Sequence, residues 1–365
     1  MSASDRARKS NDGRGSAPAL RWIAAAAGAL TLCSCYVTNQ GFKYLSLRSR
    51  AVDLEKVLSD PKAPEKLKDL VLRAERIRAF AIGELGLRDT RNYRSLVRLD
   101  SDRLATVVSA CDAASFERHL WTYPVVGALP YKGFFKPEDA EREADRLKAK
   151  GLDTLVRPVD AFSTLGWFSD PLFSNFARYD DGELAELIIH ELAHATVFVK
   201  RAEQFNEEFA TFVGRRGARL YISRSYGAES PELAALDDSR ADAEAFSDFL
   251  RGTAEKLEAV YSSDRPREEK LAAKAGILEA RAEEYLRIAP LRFRREAYRE
   301  FPMDRINNAY LDLYRLYEGE PELYAEFLER NCGGDLAGFI REIAGLAKSG
   351  GDPKDRIREA LEPRL

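Results

Sequence analysis

Three residues in one short stretch have the types and spacing that metal-assisted hydrolysis requires. His190, Glu191 and His194 form a His-Glu-x-x-His motif, and the chain contains only three histidines in all. Residues four positions apart share one face of an α-helix, so the two imidazoles can bind a single metal ion. Glu191 would lie about 100° round the same helix, where it can accept a proton from a metal-bound water. The motif therefore predicts a hydrolase with one zinc ion and Glu191 as its general base.

The residues before and within the motif predict the helix that positions it. Asp180 and Asp181 offer a helix cap, and Glu183 and Glu186 place negative charge in the first turn. Apolar residues then recur at helical spacing, at Leu184, Leu187, Ile188, Leu192 and Ala195. The alternative interpretation is a buried amphipathic helix that carries two histidines without binding a metal.

A zinc hydrolase needs a third protein ligand and leaves the fourth position to water. Residues 205–212 read Phe-Asn-Glu-Glu-Phe-Ala-Thr-Phe, which resembles the Asn-Glu-x-x-Ala element of gluzincin metallopeptidases. In that element the Glu after Asn is the third zinc ligand, and the resemblance transfers this role to Glu207. Glu208 is the rival ligand. Ala210 and Gly214 follow on about the same face, where their small size would let a second helix pack closely against the first.

The first 35 residues have the order of an export signal. Residues 1–21 are polar and basic, residues 22–32 are apolar, and the sequence Leu-Cys-Ser-Cys ends at Cys35. The apolar run is too short to span a bilayer comfortably. Its ending resembles a bacterial lipobox, so we expect residues 1–34 to be a lipoprotein signal peptide and Cys35 to carry lipid. An ordinary cleaved signal and an uncleaved anchor are the alternatives.

A lipidated Cys35 predicts an exported protein that is anchored in the cell envelope by lipid and faces the periplasm. Because Tyr rather than Asp follows that cysteine, the outer membrane is favoured over the inner one. Cys111 and Cys332 remain in the mature body, where they either form one disulfide or are two small buried residues. The chain has a net charge of -3, well-mixed charges and no basic field. We therefore expect no nucleic-acid partner.

The pattern of apolar residues predicts a mainly α-helical α+β fold that forms one catalytic domain after the signal. A small β-α-β unit should precede the metal helix, with strands at 123–129 and 152–162 and a helix at 137–150. The expected regions are a helical one at 35–118, the β-α-β unit and substrate edge at 119–175, the zinc-binding helices at 176–225, and a C-terminal helical one at 226–365.

Several of these segments resemble the bacterial putative aminopeptidase family, which comprises predicted zinc lipoproteins of the gluzincin type. They are residues 163–171, the His-Glu-x-x-His helix and residues 205–213, with further likeness at 127–135 and 307–309. The resemblance spans most of the mature chain and is sharpest between about residues 125 and 215. It implies a zinc peptidase on a gluzincin-like fold that acts on a peptide or protein substrate. Because the family name is itself motif-based, it implies a zinc hydrolase more strongly than an aminopeptidase.

Further residues have expected roles in substrate binding and catalysis. Tyr310 is the first candidate for stabilising the oxyanion, and Tyr131 is the second. Trp167 and Asp170 precede the metal helix, where related enzymes place a substrate-binding edge, and Asn308 is a substrate-binding candidate through the resemblance alone. Each of these residues also has a plain structural interpretation as a packing or turn residue.

An aminopeptidase also needs an acid to bind the free amine of its substrate, and Asp170, Glu186 and Glu208 are the candidates. Two other functions remain open. The first is an endopeptidase or another zinc hydrolase with the same site. The second is a non-enzymatic envelope lipoprotein that keeps the fold in order to bind a partner.

Overall fold

The structure is a computed structural model that describes residues 46–123, 127–160, 169–315 and 319–362. Cys35 and Trp167 lie outside the described residues, and so does the expected signal peptide. The described chain is mainly helical with small sheets, which confirms the α+β expectation. In this part of the chain, none of the helices has the length and apolar character needed to cross a membrane.

The helices are α1 (Leu54–Ser59), α2 (Glu65–Gly83), α3 (Pro137–Lys148), α4 (Asp181–Thr196), α5 (Glu203–Tyr226), α6 (Pro231–Tyr261), α7 (Arg267–Arg292), α8 (Glu296–Arg299), α9 (Asn308–Arg315), α10 (Pro321–Cys332), α11 (Leu336–Leu346) and α12 (Pro353–Leu361). The strands are β1 (Val52–Asp53), β2 (Ser95–Val97), β3 (Ala105–Asp112), β4 (Trp121–Tyr123), β5 (Gly127–Leu129), β6 (Tyr131–Phe134), β7 (Leu152–Val159) and β8 (Leu172–Phe173).

The expected β-α-β unit is present as β6, α3 and β7, but a third strand lies inside it. The sheet order is β6-β3-β7, and β3 is antiparallel to both neighbours, so β6 and β7 run parallel to each other. Helix α3 makes the crossover and buries Ala140, Ala144 and Leu147 against this sheet. In place of the expected strand at 123–129 the structure has two short strands, β4 and β5, which pair antiparallel.

The prediction that residues 35–118 are all helical is wrong at β2 and β3. The neighbouring residues Val107 and Val108 of β3 point to opposite faces of the sheet and are at most 2% exposed, so this strand is buried on both faces. A short strand that is buried on both faces shows no alternation of polar and apolar residues. Its sequence therefore cannot be told from a buried helix by periodicity.

Three apolar clusters divide the described interior. The largest surrounds α4 and α5 and includes residues of α2, α10, α11 and α12. A second cluster joins α6, α7 and α9, and a third lies between α3 and the β6-β3-β7 sheet. The His-Glu-x-x-His motif on α4 and Glu207 on α5 therefore both lie on helices of the largest cluster.

The two cysteines of the described chain are not bridged. Cys111 lies in β3 and Cys332 ends α10, and both thiols are free. The disulfide alternative is therefore wrong. Burial raises the pKa of the Cys111 thiol to about 12, so this thiol stays protonated and behaves as a small apolar residue.

Candidate metal centre

The helix that carries the motif begins where the sequence predicts. Asp180 is its N-cap: the backbone N–H of Glu183 donates to the Asp180 carboxylate at 2.8 Å, and the Asp180 N–H donates to the Glu183 carboxylate at 3.1 Å. This reciprocal capping box satisfies two backbone donors at the helix start. Arg73 of α2 also donates to the Asp181 carboxylate at 3.1 Å. The first turn of α4 is thus fixed both locally and by a neighbouring helix.

One face of α4 is completely buried, and this face sets the orientation of the motif. Its core residues are Leu184, Ala185, Ile188, Ile189, Leu192 and Ala193, each 0% exposed. Because the helix cannot rotate without exposing these side chains, His190 and His194 are held at the edge of the buried face, where both are partly buried. Thr196 ends the helix by donating its hydroxyl to the carbonyl of Leu192 at 2.6 Å.

Glycines on α5 allow the second helix to approach α4 closely. A Cβ at Gly214 would lie 3.1 Å from the Glu186 carbonyl oxygen and 3.1 Å from the His190 Cβ. A Cβ at Gly217 would lie 2.9 Å from the Ile189 side chain. Both distances are shorter than ordinary van der Waals contact, so only glycine fits at this separation. The structure thus confirms that a small residue at Gly214 lets the two helices pack closely.

This close packing brings three donor side chains to one point. The Nε2 atoms of His190 and His194 are 3.0 Å apart, and Glu207 oxygens lie 3.3 Å from His194 Nε2 and 3.7 Å from His190 Nε2. Tetrahedral donors bonded to zinc at about 2.0–2.1 Å lie about 3.3–3.4 Å from one another. The three distances scatter around that value, and all three donor atoms lie within 4.8 Å of one another. The residue set therefore fits a zinc ion.

The electrostatics at His190 and Glu207 favour the protonation states that bind metals. Burial, and then the neighbouring ring of His194, lower the pKa of His190 to about 4, while Glu207 acts in the opposite direction. A hydrogen bond from His194 is the main cause that lowers the pKa of Glu207. Neutral imidazoles and an ionised carboxylate are the ligand forms. The carbonyl of Ala210 accepts a hydrogen bond from the His190 ring, which leaves the other ring nitrogen free for a metal.

Glu191 lies beside the three donors and has the acidity of a general base. Burial is the largest cause that raises the pKa of Glu191 to about 7, the charges of Asp170 and Glu207 raise it further, and His194 opposes them. The effect of Asp170 shows that this buried carboxylate lies close to the site. Its backbone is fixed there, because the Asp170 N–H donates to Asn92 and its carbonyl accepts from the Tyr93 N–H. A base with a pKa near neutrality is well matched to proton transfer.

The side chain of Glu208 points away from the three donors. Its carboxylate accepts from the Tyr324 hydroxyl at 3.1 Å and pairs with Lys354 at 3.3 Å. Lys354 also pairs with Glu320 at 2.6 Å. Glu207, in contrast, has a side chain that is 63% exposed and faces both histidines. Among the two rival glutamates, the geometry thus brings Glu207 to the cluster and gives Glu208 a structural role.

Asn206 holds the loop between the two helices, a role that the sequence analysis missed. Its amide donates to the Val199 carbonyl at 2.8 Å, and its carbonyl oxygen accepts from the Val199 N–H at 2.8 Å. Asn206 is 2% exposed and directly precedes Glu207. The pair of bonds therefore fixes the first turn of α5, from which Glu207 projects. The sequence signal that could have indicated this role is the Asn of the Asn-Glu-x-x-Ala element, which directly precedes the candidate ligand.

Other expected site residues lie elsewhere. Tyr310 belongs to the cluster of α6, α7 and α9, where it stacks on Tyr314 and shares a hydrogen bond with it. Burial raises the pKa of Tyr310, and the charges that act on it come from other tyrosines of that cluster. Tyr131 lies on β6 and is 42% exposed. The structure therefore gives neither tyrosine a described contact with the three metal donors.

Asn308 is part of the interior. It is 0% exposed, its amide donates to the carbonyls of Asp112 and Ser115 at 2.9 Å, and its oxygen accepts from the Tyr261 hydroxyl at 2.8 Å. Its side-chain amide thus ties α9 to β3, to the turn after β3 and to α6, and its backbone N–H donates to Asp153 of β7 at 2.8 Å. This corrects the expectation that Asn308 binds substrate, because the side chain offers no surface to a ligand. Glu186, an expected amine-binding candidate, pairs with Arg215 and Arg240.

Comparison with known proteins gives one result. The family model described as "Putative aminopeptidase" matches residues 35–358. A search of curated proteins and a search of solved structures each found no match. The family match covers most of the chain and includes both helices of the candidate metal centre. The chain therefore belongs to the putative aminopeptidase family.

Proposed function

We propose that the protein is a zinc-dependent peptidase of the gluzincin type, and that it acts as an aminopeptidase in the cell envelope. The observation that carries the proposal is the convergence of His190, His194 and Glu207 at the spacing of zinc ligands, with Glu191 beside them. If His190 and His194 served only in packing, there would be no reason for a carboxylate from a second helix to lie at zinc-ligand distance from both. The family name supports the peptidase class.

In the proposed reaction, the zinc ion and the protein side chains have separate roles. Zinc, when bound, lowers the pKa of its water towards about 7 and polarises the substrate carbonyl. Glu191 accepts the proton of the attacking water on its carboxylate and delivers it to the leaving amine. A nearby divalent cation favours the ionised form of Glu191, which is the form that accepts the proton. His190, His194 and Glu207 hold the ion.

Asp170 is the acid that we propose for binding the free amine of a peptide. Of the three sequence candidates, Asp170 is the one whose charge acts on Glu191. A carboxylate next to the general base is well placed to bind an ammonium group one residue from the scissile bond. We expect Asp170→Asn to raise KM for peptides with a free amine about 10-fold or more, the loss of one charge-assisted hydrogen bond.

A matched pair of substitutions tests the ligand set. Glu207→Gln should lower zinc affinity by well over the roughly 10–100-fold typical of residues that only orient ligands, because an anionic carboxylate ligand is replaced by a neutral amide oxygen, which binds zinc far more weakly. Glu208→Gln is the control and should retain zinc. Glu191→Gln should also retain zinc, while the turnover number falls about 100-fold or more. Zinc bound equally well by Glu207→Gln and by the unmodified protein would contradict the ligand assignment.

A peptide-library digest separates the candidate activities. Each peptide is supplied with a free N-terminus and in an acetylated form. Release of single N-terminal residues from the free form alone supports an aminopeptidase, whereas internal cleavage of both forms shows an endopeptidase with the same site. Zinc bound at one equivalent without any cleavage would favour a partner-binding lipoprotein over an enzyme.

The location is proposed from the lipobox-like sequence at Cys35. Cys35→Ser should block processing of the precursor or release the protein from membranes, as seen by fractionation and intact mass. A variant that stays membrane-bound at the mass of the unmodified processed protein would contradict lipidation.

A further inference from the structure

Two arginines lie one helical turn from the candidate metal donors. Glu186 precedes His190 by four residues on α4, so the two side chains share about the same face and lie one turn, or about 6 Å, apart along the helix. Arg240 of α6 donates from Nη2 to the Glu186 carboxylate at 2.9 Å, and Nε of Arg215 on α5 lies 3.6 Å from the same carboxylate. We call Glu186, Arg215 and Arg240 the arginine cluster. The cluster therefore lies beside the metal centre, on the side towards the N-terminus of α4.

Most of the hydrogen-bonding capacity of Arg240 is unused. A guanidinium has N–H groups on three nitrogens, and in the described chain Nη2 is the only nitrogen of Arg240 with a hydrogen-bond partner. Its Nε is buried without a partner, whereas Nη1 is not buried and the side chain as a whole is 19% exposed. Arg281, a buried arginine on α7, shows the usual structural pattern. All three of its nitrogens donate, to Thr253, Glu284 and the carbonyl of Phe249. Arg240 therefore has a donor left for a ligand.

The local charge favours a further anion. Two guanidinium groups face the single carboxylate of Glu186, so the arginine cluster has one positive charge in excess. Four other acids lie within one turn of Arg240 on α6: Asp237, Asp238, Asp242 and Glu244. The first two pair with other arginines at 2.9 and 3.0 Å, and the third accepts from backbone N–H groups just before α8. The fourth is exposed and makes no ion pair in the part of the chain that the structure describes. Arg240 can therefore bind a second carboxylate while it holds Glu186.

The arginine cluster and Asp170 flank the metal donors from opposite sides. Glu191, on which the charge of Asp170 acts, lies about 100° round α4 from His190, whereas Glu186 lies about 40° round in the other direction. A substrate whose amine binds at Asp170 therefore extends its C-terminal part towards Arg240. One helical turn of about 6 Å equals about two residues of extended peptide. A group two residues beyond the scissile bond thus comes within reach of this guanidinium.

The chemical group that fits this position is a carboxylate, because arginine binds carboxylates through charge-assisted hydrogen bonds. We propose that Arg240 binds a substrate carboxylate about two residues beyond the scissile bond and so selects among the peptides that the metal centre hydrolyses. The carboxylate is the C-terminus of a tripeptide, or an acidic side chain at the third position of a longer peptide. This inference rests on the proposed peptidase function and names the substrates of that site.

The test compares a tripeptide with its amide. Leu-Gly-Gly is supplied as the free acid and as the C-terminal amide to the zinc-loaded protein and to its Arg240→Met variant. In the unmodified protein we expect kcat/KM for the acid to exceed that for the amide about 10–100-fold, the contribution of one hydrogen bond to a charged group. Arg240→Met should remove this preference, and Arg240→Lys, which keeps the charge, should retain part of it. Because both rates come from one preparation, differences in zinc content and folded fraction cancel in the ratio.

A matched control removes a different ion pair between the same two helices. Arg219 of α5 pairs with Asp237 of α6 at 2.9 Å, and it lies about 18 Å along α5 from Glu207. Arg219→Met should therefore keep the full preference for the acid. A second readout needs no turnover: calorimetry with the Glu191→Gln protein should show the same preference in Kd for the two tripeptides, and Arg240→Met should remove it there too.

Two further peptides identify the source of the carboxylate. They are amidated pentapeptides with aspartate or asparagine at the third position. A gain for aspartate that Arg240→Met abolishes assigns the contact to an acidic side chain, whereas a gain confined to the tripeptide acid assigns it to the C-terminus, and either result supports the proposal. No preference for the carboxylate in either comparison, a preference that survives in Arg240→Met, or an equal loss in Arg219→Met would overturn it. Cleavage of no peptide would overturn the peptidase function, and the ratio of Kd values would still test the carboxylate contact by itself.

Discussion

Gly214→Ala offers a direct test of how the metal centre is built, because one methyl group is added at the closest approach of α4 and α5. The new Cβ would lie 3.1 Å from the Glu186 carbonyl oxygen, 3.1 Å from the His190 Cβ and 3.4 Å from the His190 Cα. These neighbours belong to the backbone or its first side-chain atom, so none can rotate away. The helices must separate by a few tenths of an ångström, roughly the gap between these distances and ordinary contact.

Two opposing effects set the stability of this variant. Replacing glycine by alanine inside a helix stabilises it by about 0.8–1 kcal/mol, whereas overpacking of a close interface costs about 1–3 kcal/mol. We therefore expect the apo-protein to be destabilised by between about 0 and 2 kcal/mol. The effect on metal binding should be clearer. Ligand distances are tolerated within about 0.2 Å, so a shift of α5 relative to His190 should weaken zinc binding about 10–100-fold.

The assay compares Gly214→Ala with Gly276→Ala, a matched control in the exposed middle of α7. A Cβ at Gly276 would have no neighbour within 4 Å, so only the helix propensity changes. We expect this control to gain about 1 kcal/mol and to bind zinc normally. Denaturant unfolding of the apo-proteins and chelator competition for zinc give both quantities. Wild-type zinc affinity in Gly214→Ala, together with a gain in stability equal to that of the control, would refute the close-packing argument.

Three further predictions concern residues whose roles follow from hydrogen bonds. Asn206→Ala should weaken zinc binding about 10-fold, because it releases the loop at Val199. Zinc affinity is measured by chelator competition, and an unchanged affinity would contradict this prediction. Asn308→Ala should lower the free energy of unfolding by about 3 kcal/mol because it leaves buried partners unpaired, with an unchanged KM in the folded fraction; a raised KM would instead restore a substrate role. Glu143 accepts hydrogen bonds from Arg146 and Trp121, and the first of these is the main cause that lowers its pKa to about 2. Because the folded pKa lies below the unfolded one, Glu143 stabilises the fold above about pH 5 and loses this effect as the pH falls towards 2. Glu143→Gln should therefore be less stable at neutral pH by about 2 kcal/mol, with the difference vanishing near pH 2, as measured by unfolding across this range.

Local chemistry made part of the site predictable. The capping box of Asp180 and Glu183 lies within one turn, and the spacing of His190 and His194 is a property of any α-helix, so the sequence alone could indicate both. The assignment of Glu207 as the third ligand rests on the resemblance to the Asn-Glu-x-x-Ala element and not on a physical argument. Its side chain and that of Glu208 differ only in direction, and that direction depends on the helices packed around α5.

The remaining features depend on partners that are distant in sequence. Strand β3 was taken for helix because its burial on both faces hides the alternation that marks a strand. The expectation that Asn308 binds substrate rests on the family resemblance alone, and its observed partners, Asp112 and Ser115, lie more than 190 residues earlier in the chain. A sequence read along its length cannot show which buried amide will meet which carbonyl, because that requires the packing of α9 against β3.

The ion pair between Glu208 and Lys354 also determines the order in which parts of the fold can be completed during synthesis. The two residues are 146 positions apart, and at about 5–20 residues per second a ribosome needs roughly 7 to 30 seconds to add that length of chain. During this interval α5 exists without Lys354, which neutralises the part-buried Glu208 in the complete fold. The Glu208 carboxylate therefore still favours contact with water. The two helices of the metal centre therefore gain their full support only after α12 has been made and docked. A nascent chain thus contains the complete His-Glu-x-x-His sequence well before the helices that carry the candidate metal centre are fully packed.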